Sequence, residues 1–253
     1  MLQPEQWIVI PKPVSHAKLR LFCFPHAGGG IASFSQWIQH LPTDIEVCLI
    51  LLPGRENRFK ETTYTDINLL IHDLGEVLSG YLDRPYAFYG HSMGALVSFE
   101  LARYLRRNQR PGPSHLFNSA HRAPQLISRF PPLHKLPSEK FLDTLRQLQG
   151  TPDEILNNHE MMELMYPTLQ RDLQLCENYE YSPEPPLQCP ITTYGGLKDH
   201  RTLPEELEDW GIHTYAAFQL HLLEGGHFFI QDSKEVFLKM FHQELTQLLF
   251  ALR

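Results

Sequence analysis

The sequence contains few of the features that mark secreted, metal-binding or nucleic-acid-binding proteins. Its 253 residues include only four cysteines, and these are scattered without a CxxC pair: Cys23, Cys48, Cys176 and Cys189. This pattern argues against a disulfide frame or a zinc site and indicates free thiols in a reducing compartment. Lys and Arg total 22 against 29 Asp and Glu, a net charge of −7. A uniformly basic nucleic-acid-binding protein is therefore excluded.

Long hydrophobic runs are also absent. The longest covers residues 47–52, whereas a membrane-spanning helix needs about 20 apolar residues. The N-terminal sequence MLQPEQWIVIPKP has no basic stretch leading into an apolar core, so we expect no signal peptide. No Asn-x-Ser/Thr sequon occurs. We therefore expect a cytoplasmic protein without a membrane partner.

Short apolar runs alternate with longer amphipathic patterns along much of the chain. The run 46–52 is almost continuously apolar, which is typical of a parallel strand covered on both faces. The alternation predicts an α/β fold with a mainly parallel, doubly wound sheet. Predicted strands cover 18–24, 46–52, 86–89, 116–119, 191–194 and 214–223, and predicted helices cover 33–41, 66–82, 93–107 and 234–252.

The alternation stops between residues 123 and 188. This stretch is rich in proline and has helical patterns at 139–149 and 159–179, with no convincing strand. Neither of the two flanking parts forms a complete sheet alone, so a single domain explains the pattern more simply than two separate domains. We therefore predict a single domain, 1–253, that carries a helical lid inserted at about 123–188.

The pentapeptide Gly90-His91-Ser92-Met93-Gly94 lies between a predicted strand and a predicted helix. In that context G-x-S-x-G is the nucleophile elbow of α/β-hydrolases, where a tight turn exposes the serine Oγ at the carboxyl edge of the sheet. The helix N-terminus favours a developing oxyanion. We predict that Ser92 is a nucleophile. The alternative is an ordinary turn with an incidental serine.

A serine nucleophile needs a histidine base and a carboxylate that orients it. In this fold both follow the serine along the chain, each on a loop after a later strand. His227 follows strand 214–223 and two glycines, and Asp199 follows strand 191–194 and two glycines. We predict that His227 is the base and Asp199 the acid, with Asp209 as a reserve. The alternatives are a surface histidine and a solvated acid.

An oxyanion hole is the second requirement of this chemistry. One donor is expected to be the backbone N–H of Met93, the residue after the nucleophile. The other is expected from the glycine-rich loop FPHAGGG after the first strand, where we choose Ala27. A phosphate-binding loop is the weaker alternative, because the G-x-G-x-x-G and G-x-x-x-x-G-K-[ST] spacings are missing.

Three further residues follow the first two strands and are candidates for substrate binding: His26, Arg55 and Arg58. Structural or solvated roles are the alternative for each of them. The histidines have no helical metal-ligand spacing, so we predict no metal site. Four arginines, Arg103, Arg106, Arg107 and Arg110, lie near the end of the helix after Ser92. Cations there complement the helix dipole, and docking of a partner is the alternative.

Five motifs occur in the order FPHAGGG, LPGRENR, YGHSMGA, GGLKD and EGGHFF. In this combination they resemble the type II thioesterases, stand-alone α/β-hydrolases that serve polyketide and nonribosomal peptide synthetases and animal fatty-acid synthase. The resemblance covers residues 18–122 and 189–250. It implies a catalytic triad of Ser92, Asp199 and His227, with oxyanion donors on the backbone of Ala27 and Met93.

The resemblance implies hydrolysis of an acyl thioester on the phosphopantetheine arm of a carrier protein, for editing or for chain release. It implies no diffusible cofactor, because the pantetheine belongs to the substrate. We expect a monomer that meets the carrier protein transiently, through local basic residues such as the arginine cluster, because the net charge is negative. The alternatives are a carboxylesterase or lipase-like hydrolase on the same fold and a catalytically silent scaffold.

Overall fold

A seven-stranded sheet forms the centre of the computed structural model, which describes residues 3–148, 150 and 153–252. The strand order is β1-β3-β2-β4-β5-β6-β7. Only β1 is antiparallel to its neighbour β3, and the other neighbouring strands pair in parallel. The predicted α/β-hydrolase fold class, with its mainly parallel sheet, is confirmed. The strands are β1 Ile8–Val9, β2 Leu19–Phe24, β3 Ile45–Ile50, β4 Tyr86–His91, β5 His115–Ser119, β6 Ile191–Gly196 and β7 Phe218–Leu223.

Helices cover both faces of this sheet. Phe22 and Phe88 of the central strands face a core that includes α2 and α3, whereas Leu21 and Tyr89 face the opposite core, which includes α9. Alternate residues of one strand thus enter two different cores, as the doubly wound arrangement requires. The helices are α1 Pro4–Trp7, α2 Ile67–Leu78, α3 Met93–Arg107, α4 Ser138–Leu148, α5 Asp153–Leu156, α6 His159–Glu177, α7 Pro204–Glu208, α8 Phe229–Asp232 and α9 Lys234–Ala251.

Two predicted elements differ from the structure. The helix predicted at 33–41 consists of two short 3₁₀ turns, Ile31–Phe34 and Ile38–His40. The strand predicted at 214–223 begins only at Phe218, because a 3₁₀ helix at Asp209–His213 precedes it and Thr214 forms a single bridge with Leu187. Strand β1 was not predicted, since two residues are too few to show a period.

The segment 123–188 carries α4, α5 and α6, and Gln149, Thr151 and Pro152 lie outside the described residues. These helices form a small core of their own, and part of it contacts Ala27 beside the sheet edge. That this segment moves as a lid stays a prediction. The residues of this core are Leu133, Phe141, Leu145, Leu156, Met162 and Leu169.

The chain returns from this segment through an ion cluster that we call the Glu184 clamp. The Glu184 carboxylate binds three arginines of α3: Arg103 (2.9 Å), Arg106 (2.7 Å) and Arg107 (2.5 Å). Arg106 also donates to the carbonyl oxygen of Pro186 at 3.0 Å. The arginines that complement the helix dipole therefore also anchor the returning chain. Their ion pairs favour this structural role over carrier docking.

Candidate active site

Ser92 lies on a sharp turn between β4, which ends at His91, and α3, which begins at Met93. Its backbone is left-handed, with φ +52° and ψ −115°. The flanking glycines permit the turn, because a Cβ on Gly90 would lie 2.1 Å from the Gly94 carbonyl oxygen. A Cβ on Gly94 would lie 2.1 Å from the carbonyl oxygen of Phe24, at the end of β2. The two glycines thus bring the serine turn against the loop after β2.

Ser92, His227 and Asp199 form one hydrogen-bonded chain. His227 Nδ1 lies 2.8 Å from Asp199 Oδ2, and His227 Nε2 lies 3.0 Å from Ser92 Oγ. Because an ionised carboxylate only accepts, Nδ1 carries the proton and Nε2 accepts from the serine hydroxyl. The arrangement orients the imidazole so that it can remove the serine proton.

Asp199 is held in place from two sides. It follows β6, and its side chain is only 1% exposed. Its second oxygen, Oδ1, accepts a hydrogen bond from the backbone N–H of Arg201 at 2.8 Å. The structure thus brings Asp199 to His227, whereas the reserve candidate Asp209 starts a 3₁₀ helix and makes no described contact with His227.

The backbone N–H groups of Ala27 and Met93 face no acceptor among the described residues. Both residues line the same cavity as Ser92 and His227, with a volume of about 110 Å³. Two unused donors beside a serine hydroxyl are what an oxyanion hole requires. A larger groove of about 730 Å³ opens beside His227 and Asp199 and is bordered on its other side by residues of the inserted segment such as Phe130 and Leu148.

Two further histidines, His26 and His91, lie beside His227 and stay uncharged at neutral pH. Burial and the neighbouring His227 lower the pKa of His26 to about 4, and burial lowers the pKa of His91 well below its ordinary value. His91 Nδ1 lies 2.8 Å from Ser119 Oγ. The His26 ring packs against Phe228, with 4.9 Å between ring centroids. The substrate-binding role of His26 stays a prediction.

Arg55 and Arg58 are buried and face protein groups, not the cavity of Ser92. Arg58 pairs with Glu61 at 2.6 Å and donates to the Leu51 carbonyl oxygen at 2.8 Å. Arg55 pairs with Asp172 of α6 at 2.8 Å. Their guanidinium groups bind protein acceptors, and Arg55 also lines a separate cavity of about 440 Å³ beside Ala27. The substrate contact predicted for these two arginines stays a prediction.

Sequence reasoning missed several residues that line the cavity of Ser92. Arg122 lies just beyond the end of β5, and Arg201 lies two residues after Asp199; burial lowers the pKa of both guanidinium groups. Arg201 stacks on Phe130, 4.2 Å from the ring centroid. The positions of Arg122 and Arg201 in the sequence could have identified them, because residues that follow parallel strands meet at the carboxyl edge of the sheet.

No group of three or more His, Cys, Asp or Glu residues that could hold a metal ion occurs among the described residues. None of the described helices combines the length and hydropathy needed to cross a membrane.

A serine–histidine–aspartate chain at the carboxyl edge of a mainly parallel sheet defines the class of α/β-hydrolases. The chain belongs to the thioesterase family, because the thioesterase domain model matches residues 19–245.

Known proteins of similar sequence and structure are associated with biosynthetic pathways. LgrE of Brevibacillus parabrevis is 42% identical, over 100% of this chain and 97% of LgrE. BorB, a type II thioesterase from the borrelidin biosynthetic cluster, has a TM-score of 0.86 at 31% identity, over 98% of this chain and 100% of BorB. ClbQ, from the colibactin NRPS/PKS pathway, has a TM-score of 0.87 at 27% identity, over 93% of this chain and 100% of ClbQ.

LgrE is named linear gramicidin dehydrogenase. The present chain has a glycine-rich loop after β2, but its sequence FPHAGGG lacks the G-x-G-x-x-G spacing of dinucleotide-binding loops. The residues at this loop thus favour an oxyanion site over a nicotinamide cofactor.

Proposed function

We propose that this protein is a type II thioesterase that hydrolyses acyl thioesters on the phosphopantetheine arm of carrier proteins. The observation that carries the proposal is the hydrogen-bonded chain from Ser92 through His227 to Asp199, next to the unused N–H groups of Ala27 and Met93. The similarity to BorB and ClbQ favours peptide and polyketide synthesis as the setting. The role is editing of carriers or release of chains.

In the first half of the reaction, Ser92 Oγ attacks the thioester carbonyl carbon while His227 Nε2 takes the hydroxyl proton. Asp199 orients the imidazole and stabilises its charged form. The developing oxyanion accepts hydrogen bonds from Ala27 and Met93, which are placed before the reaction begins. The C–S bond breaks, and the proton on His227 passes to the departing sulfur. An acyl-serine and a free carrier thiol result.

In the second half, water replaces the thiol in the cavity. His227 Nε2 removes a proton from this water, which attacks the acyl-serine carbonyl carbon. The same two N–H groups bind the second oxyanion. The serine oxygen leaves with the proton from His227, and the free acid is released. Both halves use groups of this chain and water, so we propose that no diffusible cofactor takes part.

The setting of the reaction follows from the same proposal. A carrier protein brings the pantetheine arm to the open groove beside His227 and Asp199, in a transient complex of one carrier with a monomeric enzyme. A cytoplasmic location fits the four free cysteines, three of which are buried.

The proposal is tested by comparing kcat/KM for acyl-pantetheine thioesters with that for matched oxygen esters. We expect the thioester to be preferred, and Ser92→Ala to lower kcat by about 10³-fold or more, because the triad acts as a unit. Ser35→Ala, at an exposed serine away from the site, is the control. A clear preference for oxygen esters favours the carboxylesterase alternative.

Labelling with a fluorophosphonate distinguishes the thioesterase and carboxylesterase hypotheses, which both require a reactive serine, from a catalytically silent scaffold. We expect an adduct on Ser92 in the folded protein and none in Ser92→Ala. A folded wild-type protein that forms no adduct contradicts the assignment of the nucleophile.

A further inference from the structure

Helix α6 reaches the proposed oxyanion loop through one buried carboxylate. Asp172 Oδ2 accepts a hydrogen bond from the backbone N–H of Gly28 at 2.8 Å, and Oδ1 lies 2.8 Å from Arg55 Nη2. The side chains of Asp172 and Arg55 are only 4% and 5% exposed. Gly28 directly follows Ala27, so a side chain of the inserted segment holds the peptide next to the proposed oxyanion donor.

Arg55 holds the same loop at the 29–30 peptide. Its Nη1 donates to the carbonyl oxygen of Gly29 at 2.8 Å, and its Nε donates to that of Pro53 at 3.3 Å. The Gly29 N–H donates to the His26 carbonyl oxygen at 2.9 Å, which closes the turn. The pair formed by Asp172 and Arg55 thus fixes one N–H and one C=O of the turn that contains Ala27.

The helix also packs directly on this turn. Gly28 has φ +73°, and a Cβ there would lie 3.1 Å from Leu169 Cδ1 of α6. At the preceding residue of the helix, Thr168 Oγ1 donates to the Gly54 carbonyl oxygen at 2.7 Å. Helix α6 therefore contacts the loops after both β2 and β3.

Stability alone does not account for a buried ion pair at this place. Apolar residues of similar volume commonly stabilise an interface as well as a buried ion pair does, because desolvation offsets the attraction of the charges. Apolar side chains, however, cannot bind the Gly28 N–H or the Gly29 carbonyl. Unlike apolar side chains, the ion pair of Asp172 and Arg55 fixes the orientation of the 27–28 and 29–30 peptides.

We propose that Asp172 is a positioning residue, which holds the Ala27 N–H at the oxyanion and makes this alignment depend on helix α6 being seated on the loop. The inference rests on the function proposed above. Asp172 acts through Gly28 and does not touch the reacting atoms. An oxyanion donor must lie about 2.7–3.1 Å from the developing charge. The Ala27 N–H belongs to the 26–27 peptide, which is joined through the Ala27 Cα to the 27–28 peptide that Asp172 holds. A small rotation of these two linked peptides is therefore enough to weaken the donor.

The test uses Asp172→Ala and Asp172→Asn in the full chain. Glu163→Gln, which removes one exposed carboxylate from the same helix, is the matched control. We expect Asp172→Ala to lower kcat about tenfold to a hundredfold with little change in KM, since loss of a whole oxyanion donor costs about 10²–10³-fold. Affinity for a trifluoromethyl ketone, which forms a tetrahedral adduct on serine, should fall in parallel. The kcat of Asp172→Asn should lie between the values of the wild type and Asp172→Ala, because its amide oxygen can still accept a hydrogen bond from the Gly28 N–H.

Two results overturn the proposal. One is a folded Asp172→Ala that keeps the wild-type kcat, and the other is a loss confined to KM. If Asp172→Ala does not fold, Asp172→Asn decides through the ¹⁵N–¹H resonance of Gly28. A displaced Gly28 resonance with kcat at the wild-type level overturns the proposal, and a displaced resonance with reduced kcat supports it. Failure of the proposed function is distinguishable, because Ser92→Ala would then keep its activity.

Discussion

Ser92 has a backbone conformation that few non-glycine residues adopt, with φ +52°. Strain of this kind persists where the surroundings impose it, and at position 92 the imposing groups are backbone atoms around Gly90 and Gly94. The turn aims the hydroxyl at His227 Nε2, which lies 3.0 Å away. The reactivity of the serine thus depends on the absence of two neighbouring side chains as much as on the presence of a base.

Asp199→Asn separates the charge of the acid from its shape. The amide group keeps the volume but can present an N–H to His227 Nδ1, which favours the tautomer that cannot accept the serine proton. We expect kcat to fall by about 10³–10⁴-fold with an unchanged melting temperature, measured on an acyl-pantetheine thioester. Asp209→Asn is the control. A larger loss of kcat in Asp209→Asn than in Asp199→Asn would assign the role of the acid to Asp209.

The catalytic candidates could be predicted because each follows a strand within a few residues. Ser92, Asp199 and His227 are brought together by the parallel sheet itself, so chain order is enough to find them. Asp172 could not be found in this way. Its partner Arg55 is 117 residues away, and their contact depends on how α6 packs on the sheet edge. Arg55 was selected as a candidate for substrate binding, and its ion pair with Asp172 was not predicted.

At the level of elements, helix α3 links the nucleophile to the inserted segment. Ser92 immediately precedes its first residue, Met93, and its last two turns carry the arginines of the Glu184 clamp. The sequence pattern predicted this helix correctly at 93–107, because large apolar residues such as Val97, Leu101 and Leu105 repeat every four residues. The short 3₁₀ turns before β3 have no such repeat, and their type could not be predicted.

Glu184→Gln tests the clamp. Removing the carboxylate charge leaves three arginines close together, of which Arg103 is almost fully buried. We expect a loss of about 1–3 kcal/mol in the free energy of unfolding, as for other partly buried charged hydrogen bonds. Thermal unfolding measures it as a fall of several degrees in Tm. Glu139→Gln, at an exposed carboxylate of α4, is the control, and an equal Tm for both variants contradicts the clamp.

At the level of the whole molecule, buried histidines make stability depend on pH. Burial lowers the pKa of His26, His115 and His213 to about 4, and of His121 to about 3. In the unfolded chain a histidine titrates near 6.5. Between about pH 4 and 6.5 the unfolded state therefore binds more protons than the folded state, and stability falls as the pH falls.

Urea unfolding at a series of pH values measures this dependence. Each such histidine contributes up to about 1.4 kcal/mol per pH unit, so we expect a loss of several kcal/mol between pH 6.5 and 5. His115→Gln should make the slope shallower, whereas His200→Gln, at an exposed histidine, should leave it unchanged. A free energy of unfolding that stays constant over this range contradicts the prediction.

Both ends of the inserted segment are tied to helices that flank the sheet, α7 at one end and α3 at the other. The Ala123 N–H donates to the Glu206 carbonyl oxygen at 2.9 Å, and Arg129 pairs with the Glu206 carboxylate at 2.7 Å. The Glu184 clamp ties the other end. We expect that the helices between these two anchors can be exchanged for those of a relative as one unit, while the strands and Ser92, His227 and Asp199 keep their positions. Such a chimaera would carry a new wall beside the candidate active site of this chain, provided that the donor helix brings its own counterpart of Asp172.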